Sequence, residues 1–148
     1  MKVKILITLL LSNLTIFYMY GQAHDTLKTN CPYTILKQGH YYSAIDPGDY
    51  IIKTTSGLKD YWIAAFGLYE PVPNVYFNNL YVIAINESFG TGGYRFQIGN
   101  IYETADKMII NIVIQEPKGI RTMAIERECI IFTAKRTNKK IEIIKTRL

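Results

Sequence analysis

The chain has 148 residues, a formal charge of +5, 49% hydrophobic residues and 12 tyrosines. That is enough apolar material for one domain around a single core, and the lack of repeats, low-complexity tracts and long charge blocks excludes a disordered partner-binding tail. So mild a positive charge gives little reason to expect a nucleic-acid partner, and the Tyr- and Ile-rich composition favours strands.

Lys2 and Lys4 precede an apolar run over residues 5–11, and Gly21-Gln22-Ala23 places small residues at both key positions of a cleavage site. The pattern predicts a signal peptide over residues 1–23, cut after Ala23, and a secreted or periplasmic product over 24–148. Ser12, Asn13 and Thr15 interrupt the apolar run, which falls short of the ~20 apolar residues of a spanning helix. No integral membrane segment is therefore expected in the mature chain. Cys31 follows Lys28-Thr29-Asn30, not the small and apolar residues of a lipid-anchoring site. Cys31 and Cys129 are the only cysteines. An oxidising compartment favours a disulfide between them, contributing up to about 4–5 kcal/mol through loop entropy. Two separate buried thiols are the alternative.

After a loose leader, residues 33–37 read as a short strand and Gly39-His40 as a turn into a strand over 41–45. Asp46-Pro47-Gly48 is a further turn, because Pro47 presets its own φ and Gly48 relaxes the bend. Residues 49–54 return as a strand. Then the period changes. Leu58, Tyr61, Trp62, Ala65 and Phe66 follow the spacing of one helix face. Thr55 or Ser56 can cap that helix, and Gly67, Pro71 and Pro73 end it. Further strands are expected over 75–77, 80–87, 94–104, 108–115, 128–135 and 140–146. Hairpin turns are expected at residues 105–107 and at Thr137-Asn138. Gly90-Thr91-Gly92-Gly93-Tyr94, between two apolar runs, reads as another hairpin because glycine reaches positive φ freely. The sum is a mainly β (α+β) domain: an antiparallel, curled sheet, as a sandwich or an open barrel, with one short helix packed on it.

Chemistry-bearing clusters are sparse along the chain. His24 and His40 lack the i, i+4 or Cys/Asp spacing of a metal site, and His40 reads as a solvated turn residue. No metal, cofactor or catalytic set is expected. Asp46 and Asp49 flank a turn. Glu126 and Glu128 share one strand face and are expected to pair with cross-strand Lys or Arg. The glycine loop lacks the Lys-Ser/Thr of a phosphate cradle and opens a strand. The basic C-terminus, with Lys135, Arg136, Lys139, Lys140, Lys145 and Arg147, reads as a charged hairpin protecting a sheet edge. Tyr41, Tyr42 and Tyr50 form either a stacking patch or half-buried sheet packing. Phe89, Gly90, Thr91, Gly92, Gly93 and Tyr94 are the candidate binding residues, with 116–119 as a neighbour. Glycine there allows close backbone approach, and the two aromatics are anchors of the kind interfaces favour.

Gln38-Gly39, Tyr42-Ser43, Trp62, Pro73, Val75-Tyr76-Phe77, the apolar strand over 82–85, Thr91-Gly92-Gly93-Tyr94, Arg95 to Ile98, Ile101, the run over 110–114 and Pro117 occur in one order. Over residues 36–145 this order resembles the protease-complex subunit PrcB family of exported bacterial proteins. Tyr76 stands where that family often has an acidic residue, Glu128-Cys129 where it has a proline-aromatic pair, and its lipoprotein anchor is not matched. The resemblance implies a non-catalytic accessory subunit that binds, stabilises or matures an extracytoplasmic protease. The glycine loop is also similar in shape to that of chagasin-like cysteine-protease inhibitors, which implies an inhibitor as the alternative.

Overall fold

In the computed structural model, which describes residues 28–42, 44–119 and 123–148, the elements in chain order are β1 (Thr29–Asn30), β2 (Tyr33–His40), β3 (Gly48–Ile52), α1 (Thr55–Phe66), β4 (Leu80–Phe89), β5 (Arg95–Glu103), β6 (Lys107–Gln115), β7 (Glu126–Lys135) and β8 (Lys140–Arg147). The expected signal peptide lies outside the described residues. Among the described residues, no helix is long and apolar enough to cross a membrane.

Two apolar runs set the architecture. Val82-Ile83-Ala84-Ile85 in β4 and Cys129-Ile130-Ile131-Phe132 in β7 do not alternate with polar residues, as expected of strands buried on both faces. They lie side by side at the centre of a four-stranded antiparallel sheet of order β2-β7-β4-β3. One face of this sheet, with Ile83, Ile85, Ile130, Phe132 and Ala134, packs on a second sheet of order β1-β5-β6-β8. The other face, with Val82, Ala84 and Ile131, packs under α1 through Leu58, Tyr61, Trp62 and Ala65. In the second sheet Phe96, Ile98, Met108, Ile110, Ile112 and Ile114 point inward. Its outer face is mixed, with Gln115 donating to Gln97 at 2.9 Å and Asn111 to Asn100 at 2.5 Å among half-buried apolar residues such as Ile109 and Val113. Among the described residues, the fold is therefore mainly β with one short helix, two stacked sheets and no closed barrel.

All strand pairs are antiparallel except β6 with β8. The division of strands between the two sheets corrects two expected hairpins. β4 and β5 belong to different sheets, so Gly90 to Gly93 turn a corner between layers. β7 and β8 likewise lie in different sheets, and Thr137-Asn138 carries the chain across to the edge of β6. Glycine and asparagine signal a bend, while the partner of the next strand is chosen by which face must be buried. The turn at residues 104–106 does join a true hairpin, β5 to β6.

Other local expectations shift for identifiable reasons. Gly39 and His40 extend β2 and pair with Cys129 and Glu128. Tyr41 and Tyr42 are not strand: their N–H groups donate to the carbonyls of Arg127 and Ala65, so no ladder forms. Residues 75–77 are not strand either, because the Tyr76 carbonyl accepts from the N–H groups of Asn79 and Leu80 in a turn. The end of the leader, Thr29–Asn30, is tied down by pairing with Tyr102 and Glu103 of β5. The cap of α1 is Thr54, whose hydroxyl accepts from Gly57 N–H at 3.1 Å.

The disulfide does not form. Both cysteines are free and buried. Cys31 packs in the core between the two sheets, whereas Cys129 faces α1 on the far side of β7. A strand whose side chains alternate between faces puts a whole sheet between the two thiols.

Candidate functional site

Strand direction brings the C-terminal ends of β2, β4 and β6 and the N-terminal ends of β5 and β7 to one end of the sandwich. The two segments singled out from the sequence, 89–94 and 116–119, therefore meet. Gly93 takes φ of +95°, and a Cβ placed on it would lie 2.9 Å from Cβ of Pro117. Its N–H donates to Glu126 Oε2 at 2.5 Å. Gly92, Gly93, Arg95, Gln115, Glu116, Pro117, Lys118, Glu126 and Leu148 line a groove of about 790 Å³.

The loop residues divide by burial. The Phe89 ring is 5% exposed and belongs to the inter-sheet core. Tyr94 stacks on it, with centroids 3.9 Å apart and planes 5° from parallel. Gly92 is buried and Thr91 half-buried, while Gly90 and Gly93 are exposed. The accessible part of the loop is glycine backbone and Thr91; its aromatic pair fastens the corner to the core.

Beside the groove, on the other side of Glu126, is a smaller recess of about 320 Å³ lined by His40, Tyr41, Ala124, Ile125, Glu126 and Arg127. Here the register assembles a cluster. Glu126 and Glu128 are two residues apart on β7 and share a face, and His40 lies directly opposite Glu128 on β2. His40 Nδ1 is 2.8 Å from Glu128 Oε1, and its Nε2 is 3.8 Å from Glu126 Oε1. The expected Lys or Arg partners of these two glutamates are replaced by a histidine. Burial raises the Glu128 carboxyl above the ordinary carboxylate range; His40 opposes that shift, Glu126 reinforces it, and Arg95 opposes it. The His40 side chain is 70% exposed, so the cluster opens to solvent.

The remaining candidates lie elsewhere. Asp49 pairs with Lys145 at 2.7 Å, and the Asp46 carbonyl accepts from the Tyr50 hydroxyl at 2.8 Å. Several basic C-terminal side chains hold ion pairs: Lys139 with Glu103 at 3.0 Å, and Lys145 with Glu87 at 2.6 Å as well as with Asp49. Of the tyrosines, Tyr41 is buried and Tyr42 exposed, while the Tyr50 and Tyr61 rings tilt together at 5.5 Å. Burial pushes the Cys129 thiol up to about 12 and also raises that of Cys31.

Sequence reasoning missed the partnership of His40 with the two glutamates because 86 residues of chain separate His40 from Glu126. The available signal was the Glu-x-Glu spacing on a strand. The histidine's place opposite it depends on which strands become neighbours. In comparisons with known proteins, no family model, no curated protein and no solved structure matches this chain.

Proposed function

We propose that this protein is an exported, non-catalytic protein-binding module, similar to a PrcB-type accessory subunit, whose partner is another extracytoplasmic protein, a protease being the foremost candidate. The supporting observation is the meeting of Gly92 and Gly93, just past the open Gly90, with residues 115–118 along one open groove, where glycine backbone lies beside the charged side chains of Arg95 and Lys118. Exposed backbone admits close approach by a partner segment, and flanking charges give register and specificity. The test is capture of partners from an envelope extract of the source cell by tagged wild-type protein and by the double variant Arg95→Glu, Lys118→Glu. Both side chains are exposed and line the groove, so the variant keeps the fold. A partner retained by the wild type and lost by the variant is the expected result. A partner set common to both would refute the groove as the binding surface.

The inhibitor alternative rests on the same open Gly90, which offers an unobstructed loop tip to a protease cleft. It requires dose-dependent slowing of a papain-like or serine protease by the purified protein. Undiminished activity across a broad protease panel would dispose of it.

A further inference from the structure

We propose that His40, Glu126 and Glu128 form a binding site for one divalent transition-metal ion of the zinc class. Each residue offers one ligand atom, and these atoms all lie within 4.8 Å of one another. Zinc bonds of about 2.0–2.2 Å to nitrogen and oxygen place tetrahedral ligand atoms roughly 3.3 Å apart. Only one imidazole nitrogen can ligate a given ion, and with one atom taken from each residue the set spans up to 4.8 Å, so binding draws the side chains together by about 1–1.5 Å.

The charge arrangement points the same way. Glu128 is 8% exposed, and a carboxylate in that position needs a counter-charge. Among the described residues, the ion-pair partner within reach of Glu126 and Glu128 is His40. Arg95 acts on Glu128 only through the longer-range field. Two carboxylates therefore share a niche in which, among the described residues, neither is ion-paired with a lysine or arginine. A divalent ion supplies the missing charge, and the imidazole selects a borderline metal over calcium or magnesium, which favour all-oxygen sites.

The surroundings suit a built site. Glu126 is oriented by a hydrogen bond from Gly93 N–H to its second oxygen, the kind of outer contact that fixes a ligating carboxylate. The exposed side of His40 leaves the ion open to solvent for a fourth ligand. Because Glu126 also lines the groove, an ion here would stiffen the corner that carries Gly93.

The experiment is calorimetric titration of tag-free protein, stripped with a chelator, with zinc chloride at pH 7.5, alongside thermal melts with and without zinc. The expected result is one zinc ion per chain, a raised melting temperature, and no displacement by a hundredfold excess of magnesium. His40→Ala, Glu126→Gln and Glu128→Gln should each weaken binding by roughly tenfold or more, while His24→Ala leaves it unchanged. Glu126→Gln keeps an acceptor for Gly93 N–H, and all variants are compared by their metal-free melts so that misfolding is seen directly. No binding at micromolar zinc, or equal affinity in His40→Ala, would overturn the site.

Discussion

At Gly93 a positive φ coincides with the near contact to Pro117, so any side chain is opposed both by its own backbone and by a neighbouring ring. Gly93→Ala is expected to destabilise the protein by about 1–3 kcal/mol, measured as a shift in the urea midpoint at unchanged slope. Gly90→Ala, with open space and ordinary φ, should leave the midpoint within about 0.5 kcal/mol of the wild type. The Gly-rich stretch thus holds two kinds of glycine, and the sequence marks them alike. What separates them is Pro117, 24 residues further on and on a neighbouring loop at the same end of the sandwich. Asn86 gives a second case at this scale. It is fully buried within an apolar strand because Tyr61 on α1 donates its hydroxyl to Asn86 Oδ1 at 2.8 Å, a partner invisible until helix and sheet are stacked.

Among the elements, β8 depends most on tertiary context. It leaves the layer of β7, joins β6 in parallel, and reaches back across the sandwich through Lys145, whose ammonium contacts Asp49 of β3 and Glu87 of β4. Burial alone would pull the Lys145 pKa down, but hydrogen bonds to Asp49 and Glu87 outweigh it and hold the value above the ordinary one. A lysine raised in the folded state binds its proton more tightly there than in the unfolded chain. Its stabilisation is therefore complete below the unfolded value of about 10.4 and is lost as pH rises through the higher folded value. Lys145→Met should cost about 1–2 kcal/mol at pH 7. Denaturation curves of the two proteins should converge above pH ~10.4; a gap that stays constant would show that the pair contributes through packing alone. By contrast α1 was readable from its apolar spacing, since helix periodicity and Gly67 are local facts; only the cap moved, to Thr54.

For the whole molecule, the double-sided burial of β4 and β7 makes one sheet the wall between two cores. That wall separates Cys31 from Cys129. Reducing agent is therefore expected to leave the melting temperature unchanged, and denatured, non-reduced protein should yield two thiols in a colorimetric assay. A Cys129 thiol pushed up to about 12 is ionised in roughly one molecule in ten thousand at pH 8. Native protein should accordingly resist alkylation at Cys129, with rapid labelling only after denaturation. A melting temperature that drops on reduction would contradict the placement of the cysteines on opposite faces.

The β-rich class, the helix α1 and most strand centres followed from residue pattern alone, because apolar period and turn chemistry act over a few neighbouring positions. Strand partners, the two layer-crossing corners, the failure of the disulfide and the meeting of His40 with Glu126 and Glu128 required the tertiary structure. Each depends on which face of a strand is buried against what, and burial is settled by packing between segments far apart in the chain.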